Sequence, residues 1–506
     1  MKSSLLKKLA KGVLFLAAFA ITAIVLFYSV TSYLGRQEWA ATKKALEARG
    51  EKLSIMELRP QPIADDLNFF AAPAFAELAD GEPFVEPTGK KSFRLRLPEE
   101  EQKLTIVKTT MGHLSKTSPG SNSPSATDLG AWAAYYQAEG KVSASNRPAA
   151  EVVLEALEPA RTVVDEVAKY AKRPSSYFPH RYEDMPAIGI NHISPMLSLS
   201  KYLRLRAIAE MELGKSDDAA RDVLLILRLA DSLKGEPIII SLLVRISILN
   251  IANRALWEGI ARGAWSDAQL AMFEERLRGY DLIPEMADTL RGERGSMLPF
   301  LESVMQKDEL ENLLPGLAFM FGETTSEDFG EWDPKWILIA TLYPRGWVYS
   351  DLALTATLHQ RWIDALGDRT KPLRPADYEK RNVEQMGLPN NIKHFLTYLL
   401  MSSLDGCIET CASSQAKIDQ ARTACALERY RLAHGDLPET LEALVPQFIA
   451  AVPLDAITNK PLHYRRISAA DFALWSIGWD ATDDNATPLD RETKKGDWVW
   501  TRQPLS

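Results

Sequence analysis

The sequence is poor in cysteine and in histidine, and it has no excess of positive charge. Its 506 residues include three cysteines and seven histidines, and its formal net charge is -8. Three cysteines cannot build the disulfide framework of a small secreted domain, so a hydrophobic core must supply the stability. A chain with net negative charge lacks the basic surface that nucleic-acid binding requires, and we expect no nucleic acid as a partner.

Motifs of catalysis and phosphate binding are also missing. The histidines are scattered without H-E-x-x-H or H-x-H spacing, and neither G-x-S-x-G nor G-x-x-x-x-G-K-[ST] occurs. Cys407 and Cys411 lie four residues apart on one predicted helix without a further ligand, which favours small residues at a helix crossing over a metal site. The cluster YFPHRYEDMP, residues 177–186, favours interhelix packing over a groove. We therefore predict that the protein is not an enzyme.

A long uncharged run near the N-terminus is the clearest targeting feature. Val13–Leu34 carries no charged residue, and a helix of about 20 apolar residues spans the ~30 Å hydrocarbon core of a bilayer. Lys2, Lys7, Lys8 and Lys11 precede the run, which places the N-terminus in the cytoplasm by the positive-inside rule. The run is longer than the apolar region of a cleaved signal peptide, which favours an uncleaved signal anchor. We predict no later span.

Hydrophobic periodicity predicts a mainly α-helical protein with an α+β module at its C-terminus. The predicted division is residues 1–12 in the cytoplasm, 13–34 as the transmembrane anchor, 35–148 as a juxtamembrane helix and an irregular linker region, 149–390 as a helical domain, and 391–506 as a long helix with a small antiparallel sheet. The Ser/Pro/Gly-rich stretch 116–128 is typical of a linker.

Local signals within the helical domain mark several helix boundaries. Gly214 ends one amphipathic helix, and we predict that Ser216 caps the next. Ser266 with Gln269 predicts a capping box. The helix pair around Gly214 resembles a tetratricopeptide-type repeat, and both a repeat array and a helix bundle remain open.

Several linked motifs follow one another between Ala424 and Trp500. A helix that ends in ALERYRLAHG precedes VPLDAITNKPLHYRR, then FALWSIGWDATDDN, then GDWVW. This order resembles the globular part of the major pseudopilin of type II secretion systems. The matching residues are Tyr430, Gly435, Pro438, Leu441, Leu444, Pro453, Asp455, Asn459, Pro461, Tyr464, Ser476, Gly478, Asp480 and Asp497.

The resemblance implies a pseudopilin-like α+β fold for this module and does not extend to membership in a pseudopilus. In pseudopilins the transmembrane helix joins the module directly after a processing site, whereas residues 35–390 intervene here and that site is missing. The family's D-P-W-G is replaced by the sequence DAIT at residues 455–458. The whole chain also resembles a bacterial family of membrane-anchored proteins with an EARGEKLSI…DDLNF segment, a helical middle and this tail, which implies no activity.

An acidic turn follows the strand FALWSIG. The resemblance implies that this turn binds calcium, and Asp480 and Asp497 match the family's motif positions. We add Asp483 and Asp484 because they lie close in sequence, together with the backbone carbonyl of Ile477, since calcium takes six to eight oxygen ligands. The alternative is a solvated turn in which aspartate serves as a turn former.

Three functions remain open on the sequence. The preferred one is a non-enzymatic protein of the bacterial inner membrane, with a single span and the bulk of the chain in the periplasm. Its helical scaffold would present a calcium-stabilised module to other envelope proteins, in secretion or envelope assembly. The alternatives are a tetratricopeptide-like adaptor that binds peptides or proteins, with the tail as a cap, and an extracytoplasmic hydrolase built from scattered acids.

Overall fold

The computed structural model describes residues 2–79, 81–85, 91–95, 103–112, 126–144, 146–185, 188–303, 343–368, 370–373, 375, 392–401, 404–490 and 492–502. Within these ranges the protein is mainly α-helical, with an N-terminal apolar helix and a small antiparallel sheet near the C-terminus. The predicted fold class is confirmed. Most of the linker predicted at 116–128 lies outside the described residues.

The described ranges contain the following regular elements. The helices are α1 (Lys2–Ala48), α2 (Ile55–Leu58), α3 (Pro73–Ala79), α4 (Thr105–Met111), α5 (Leu129–Ala138), α6 (Ala149–Leu157), α7 (Arg161–Tyr170), α8 (Ile193–Glu212), α9 (Ser216–Ser232), α10 (Ile239–Arg262), α11 (Asp267–Arg278), α12 (Leu282–Ser303), α13 (Arg345–Gly367), α14 (Phe395–Met401) and α15 (Leu404–His434). The strands are β1 (Gly81–Val85), β2 (Lys91–Leu95), β3 (His463–Arg466), β4 (Phe472–Ser476) and β5 (Trp498–Thr501).

The predicted anchor and the juxtamembrane helix form one continuous helix, α1. Gly50 ends it by adopting a left-handed conformation with φ of 79°. The Gly50 amide donates to the Glu47 carbonyl at 2.9 Å, and the Glu51 amide donates to the Leu46 carbonyl at 3.1 Å. These two bonds satisfy carbonyls that a helix end leaves free, and they let the chain turn sharply into the body.

Among the residues that the structure describes, two helices are long and apolar enough to cross a membrane. The first is the N-terminal helix from Lys8, and none of its most apolar window is buried. The second, Ile239–Arg262, contradicts the expectation that no later segment would qualify by length and composition. It is α10, and 56% of its window is buried in the body. Burial of this kind is typical of a core helix in a large domain.

One of the two predicted helix N-caps is confirmed. Ser266 Oγ accepts from the Gln269 amide at 3.3 Å and Gln269 Oε1 accepts from the Ser266 amide at 2.9 Å, which is the predicted capping box. The prediction for Ser216 is wrong, because Lys215 is the N-cap residue and makes no side-chain capping bond. Ser216 is already the first helical residue, so its backbone is helical and not in the extended conformation that an N-cap residue usually adopts.

One hydrophobic core extends from Phe69 to Trp500 and includes buried residues of the helical middle and of the C-terminal module. The long helix predicted from residue 391 is described as α14 and α15, and α15 packs against α10, α11 and α12. Gln420 Nε2 donates to the Trp498 carbonyl at 2.5 Å, and Trp257 Nε1 donates to the Thr501 carbonyl at 2.8 Å. Strand β5 is therefore bonded to both α15 and α10.

The C-terminal sheet has the strand order β3-β4-β5, and both pairings are antiparallel. Leu474 in β4 lies opposite Tyr464 in β3 and opposite Trp500 in β5. All of β4 is buried, because it is the central strand and faces α15. These strands confirm the small antiparallel sheet that we predicted within residues 391–506. A further antiparallel pair, β1 with β2, lies in the region that we predicted to be irregular.

A second core cluster joins α1 to the body. It includes Trp39 and Leu46 of α1, Leu301 of α12 and Leu352 of α13. The ring of Phe27, within the predicted span, packs edge-on against Trp347 near the start of α13. Contacts with α13 thus extend from inside the predicted span almost to the end of α1.

Candidate functional site

The predicted calcium turn follows β4 and packs against the loop that leads into β5. Gly478 has φ of 71°, and a Cβ added to it would lie 2.5 Å from the Gly496 carbonyl oxygen. Ala481 and Asn485 also adopt positive φ values of 55° and 56°. L-residues rarely adopt this conformation, so contacts around the loop must hold it in place.

Two predicted ligands, Asp480 and Asp497, bind backbone amides across this loop. Asp480 Oδ2 accepts from the Gly496 amide at 3.0 Å. Asp497 Oδ1 accepts from the Asp484 amide at 3.2 Å, and its Oδ2 accepts from the Ala486 amide at 2.7 Å. The two carboxylates therefore brace the loop in the manner of turn-forming aspartates.

The other predicted ligands are placed differently. Asp483 Oδ1 accepts from Trp475 Nε1 at 2.9 Å and from the Asn485 amide at 3.0 Å, which ties the loop to β4. The backbone carbonyl of Asp484, not its side chain, accepts from the Thr487 hydroxyl at 2.6 Å. Ile477 immediately follows β4, beside the turn.

Electrostatics around Asp497 still suit a cation. Burial raises the pKa of Asp497, and the neighbouring charges of Asp483 and Asp484 raise it further. Three carboxylates that repel one another are stabilised by a bound divalent ion. Each carboxylate oxygen has a second lone pair beyond the one that an amide occupies. The turn can thus be a braced acidic loop or a calcium site, and calcium stays a prediction.

Sequence reasoning missed a different cluster of ligand-type side chains. Within the described ranges, the group of histidine, cysteine and acidic residues whose ligand atoms all lie within 4.8 Å of one another is His180, His192 and Glu236. The acidic turn does not form such a group. The two histidines are twelve residues apart and the glutamate is far along the chain, so no motif spacing marks them. The aromatic cluster at residues 177–186 was the one sequence signal that included a residue of this group, His180.

Burial controls the charge of this cluster. Burial lowers the pKa of His192, which favours a neutral imidazole. Burial alone would raise the pKa of Glu236, but its interactions with His192 and His180 outweigh burial and lower the pKa. The cluster therefore presents a carboxylate to imidazole nitrogens in a site shielded from water.

A polar groove of about 620 Å³ lies between α6–α7 and α8–α9. Arg206 binds Asp222 through two hydrogen bonds of 2.7 and 2.6 Å at its floor. Burial raises the pKa of Glu210 beside them, and the charge of Asp222 adds to that effect. Arg221 lines the groove and is largely exposed. Charges of both signs suit a polar peptide better than an apolar ligand.

No family model, curated protein or solved structure matches this chain. The pseudopilin resemblance therefore remains a prediction that rests on the motif residues.

Calcium should raise the melting temperature of the full chain, because an ion that binds only the folded state stabilises it by mass action. At free calcium about a hundred times the dissociation constant, the gain is about 2.7 kcal/mol. Magnesium should substitute poorly, since it requires tighter octahedral geometry. Thermal melts in calcium and in chelator measure the difference.

Asp480→Ala should abolish most of this calcium-dependent difference, whatever it does to stability in chelator. Asp490→Ala is the matched control, because the Asp490 side chain is exposed and accepts from its near neighbours, the Glu492 amide and the Thr493 hydroxyl. Identical melts of the unmutated chain in calcium and in chelator would show that the aspartates only brace the loop.

Proposed function

We propose that the protein is a non-enzymatic, single-pass protein of the bacterial inner membrane whose periplasmic body presents the C-terminal module to other envelope proteins. The observation that carries the proposal is the continuity of α1 with the body. An exposed apolar helix enters a hydrophobic joint with α12 and α13 and then ends in a glycine turn. An anchor mounted in this way holds the body at a fixed position on the membrane.

The joint includes polar as well as apolar contacts. Ser350 Oγ donates to Glu38 Oε2 at 2.9 Å, and Lys393 lies 3.6 Å from the same carboxylate oxygen. Arg49, near the end of α1, binds Asp364 of α13 at 2.7 Å. A tether that served only to retain the protein would not need contacts of this extent, which supports a scaffold role.

The C-terminal sheet offers an edge for partner proteins. Among the described strands, β3 pairs with β4 alone. Ile467, at the turn after β3, is 54% exposed, and Leu454 is 48% exposed. Exposed apolar residues beside an unpaired strand edge are typical of surfaces that bind another chain.

The adaptor function is the second candidate, and the polar groove between α6–α7 and α8–α9 favours it. In that case the partner is a polar peptide, and the C-terminal sheet only covers the end of the helical body. The two candidates place the partner on different surfaces, which makes them separable in one experiment.

Site-specific photocrosslinking in native membranes distinguishes the two surfaces. A photoreactive residue at position 467 should give a discrete protein adduct, and the same residue at position 221 in the groove should give none. An adduct at 221 alone would favour the adaptor. Absence of adducts at both positions would contradict a role in protein–protein contact.

A further inference from the structure

The cluster of His180, His192 and Glu236 joins two parts of the chain that regular structure does not connect. His180 lies in the irregular segment between α7 and α8, and His192 immediately precedes α8. Glu236 lies in the short turn between α9 and α10. The side chains of both histidines are fully buried, and that of Glu236 is 6% exposed.

Both imidazoles direct the same nitrogen at the one carboxylate. His180 Nε2 lies 3.2 Å from Glu236 Oε2, and His192 Nε2 lies 3.1 Å from Glu236 Oε1. Ser241 Oγ donates to Glu236 Oε2 at 2.5 Å and fixes the orientation of the carboxylate. The ring of Phe178 stacks on His192 with centroids 4.1 Å apart. The two imidazole nitrogens and the carboxylate are thus held by packing and by a buried hydroxyl.

The hydrogen bond of His180 Nδ1 determines which nitrogen of this imidazole is unprotonated. His180 Nδ1 lies 3.1 Å from the Gly189 carbonyl oxygen, which can only accept, so Nδ1 carries the proton. In the neutral ring Nε2 is then unprotonated and carries a lone pair. This buried atom has no hydrogen-bond partner in the described part of the chain. A lone pair that faces a carboxylate oxygen at 3.2 Å is repelled unless positive charge lies between them.

The two nitrogen–oxygen separations, each to a different oxygen of Glu236, are close to those between neighbouring ligands of a tetrahedral metal site, and the ligand atoms of the three residues all lie within 4.8 Å of one another. Zinc binds imidazole nitrogen at about 2.0–2.1 Å and carboxylate oxygen at about 2.0–2.2 Å, which puts neighbouring ligand atoms about 3.3 Å apart. The observed distances are 3.1 and 3.2 Å. Histidines that bind metals commonly donate their other ring N–H to a backbone carbonyl, as His180 does to Gly189.

We propose that His180 Nε2, His192 Nε2 and a Glu236 oxygen bind one divalent transition-metal ion of the zinc type. Two nitrogens and one oxygen favour such an ion over calcium or magnesium, which take oxygen ligands. A tetrahedral ion keeps one further position, for water or another ligand. The ion ties the irregular segment before α8 to the α9–α10 turn, and it is independent of the calcium predicted at the acidic turn.

The rival state contains a proton instead of a metal. A doubly protonated His180 would donate to Glu236 and form a buried ion pair with the same three residues. The contacts of His192 do not distinguish the metal-bound state from the protonated state. Its Nδ1 has no hydrogen-bond partner among the described residues, so no contact fixes which ring nitrogen carries the proton. Metal content does distinguish the two states.

The test uses the full chain purified in detergent without chelator. The bound metal is measured by mass spectrometry after dialysis, then removed and replaced with Zn²⁺ or Co²⁺ as the probe. We expect one equivalent per chain and, with Co²⁺, the strong visible absorption of a tetrahedral site. Absence of a retained equivalent, before and after loading, would overturn the proposal in favour of the protonated pair.

Variants locate the ion. His180→Asn and Glu236→Gln should lose the equivalent, and Asp480→Ala should keep it. His359→Asn is the matched control, because His359 is also buried, its Nδ1 also contacts a carbonyl, that of Thr355, and its Nε2 also lacks a partner. Retention of the full equivalent by both cluster variants would place the ion elsewhere and overturn the proposal.

X-ray absorption of the Zn²⁺-loaded chain keeps the test valid if the cluster variants fail to fold. It should show two imidazole nitrogens bound to the ion. A spectrum without imidazole ligands would overturn the proposal.

Discussion

Replacement of Arg294 by alanine should destabilise the protein by about 3–5 kcal/mol, because it removes one partner of a buried ion pair. Arg294 is fully buried on α12. Its Nη2 donates to Glu51 Oε2 at 2.7 Å and to the Lys52 carbonyl at 2.9 Å. Its Nη1 donates to Gln360 Oε1 at 2.5 Å. Alanine would leave the Glu51 carboxylate in the interior without its closest cation.

The expected loss is a difference in free energy of unfolding, measured by denaturant titration in detergent. Arg278→Ala is the matched control, since Arg278 pairs with Glu275 on the exposed face of α11. Exposed pairs contribute about 0–1 kcal/mol. Equal effects of the two substitutions would show that Arg294 does not hold the end of α1 to the body.

The Glu51–Arg294 pair should make the free energy of unfolding depend on pH. Burial raises the pKa of Glu51, but hydrogen bonds from Arg294 and Gln360 outweigh this and lower the pKa below its ordinary value. A carboxylate with a lowered folded-state pKa stabilises the protein above its unfolded pKa, and this contribution is lost as the pH falls. Glu51→Gln should therefore lose less stability than the unmutated chain on acidification below about pH 4.5.

Gly346→Ala should force α1 and α13 apart. A Cβ at Gly346 would lie 2.2 Å from the Thr31 carbonyl carbon and 2.4 Å from the Ser32 nitrogen. Both are backbone atoms, so no side chain can rotate away to make room. Gly35 is equally constrained from the other helix, because its Cβ would lie 2.1 Å from the Gly346 carbonyl oxygen. Overpacking of this kind costs about 1–3 kcal/mol.

Gly367→Ala supplies the control for Gly346→Ala within the same helix. Gly367 is the last residue of α13, and a Cβ there would have no atom within 4 Å. We expect its effect on unfolding free energy to be within about 0.5 kcal/mol. If Gly346→Ala were as neutral as Gly367→Ala, the close crossing of the two helices would be wrong.

Short-range chemistry made much of the fold predictable. Gly50 and the Ser266–Gln269 pair set helix boundaries within one turn of chain, so their signals can be read from neighbouring residues. The period-2 pattern of β4 was recognisable for the same reason. Ser216 shows the limit, because its residue type favours an N-cap, yet the helix begins at Ser216 and Lys215 is the N-cap residue.

Contacts between distant residues were not predictable in this way. Glu51 lies in the connection after α1 and Arg294 lies on α12, and neither position shows a pattern that indicates the pair. His180, His192 and Glu236 meet because two connecting segments pack together, which no spacing rule encodes. Asp480 and Asp497 were found through a motif, yet the motif did not reveal that backbone amides already bind both carboxylates.

The position of the body relative to the membrane is tested most directly by a reporter fused after Ser506. A reporter that is active only outside the cytoplasm should be active in this fusion, and the mature chain should retain residues 13–34. The basis is the run of lysines before Val13 and the exposed apolar helix that follows them. Activity of a cytoplasm-specific reporter at Ser506, or a mature N-terminus beyond Leu34, would contradict an anchored periplasmic scaffold.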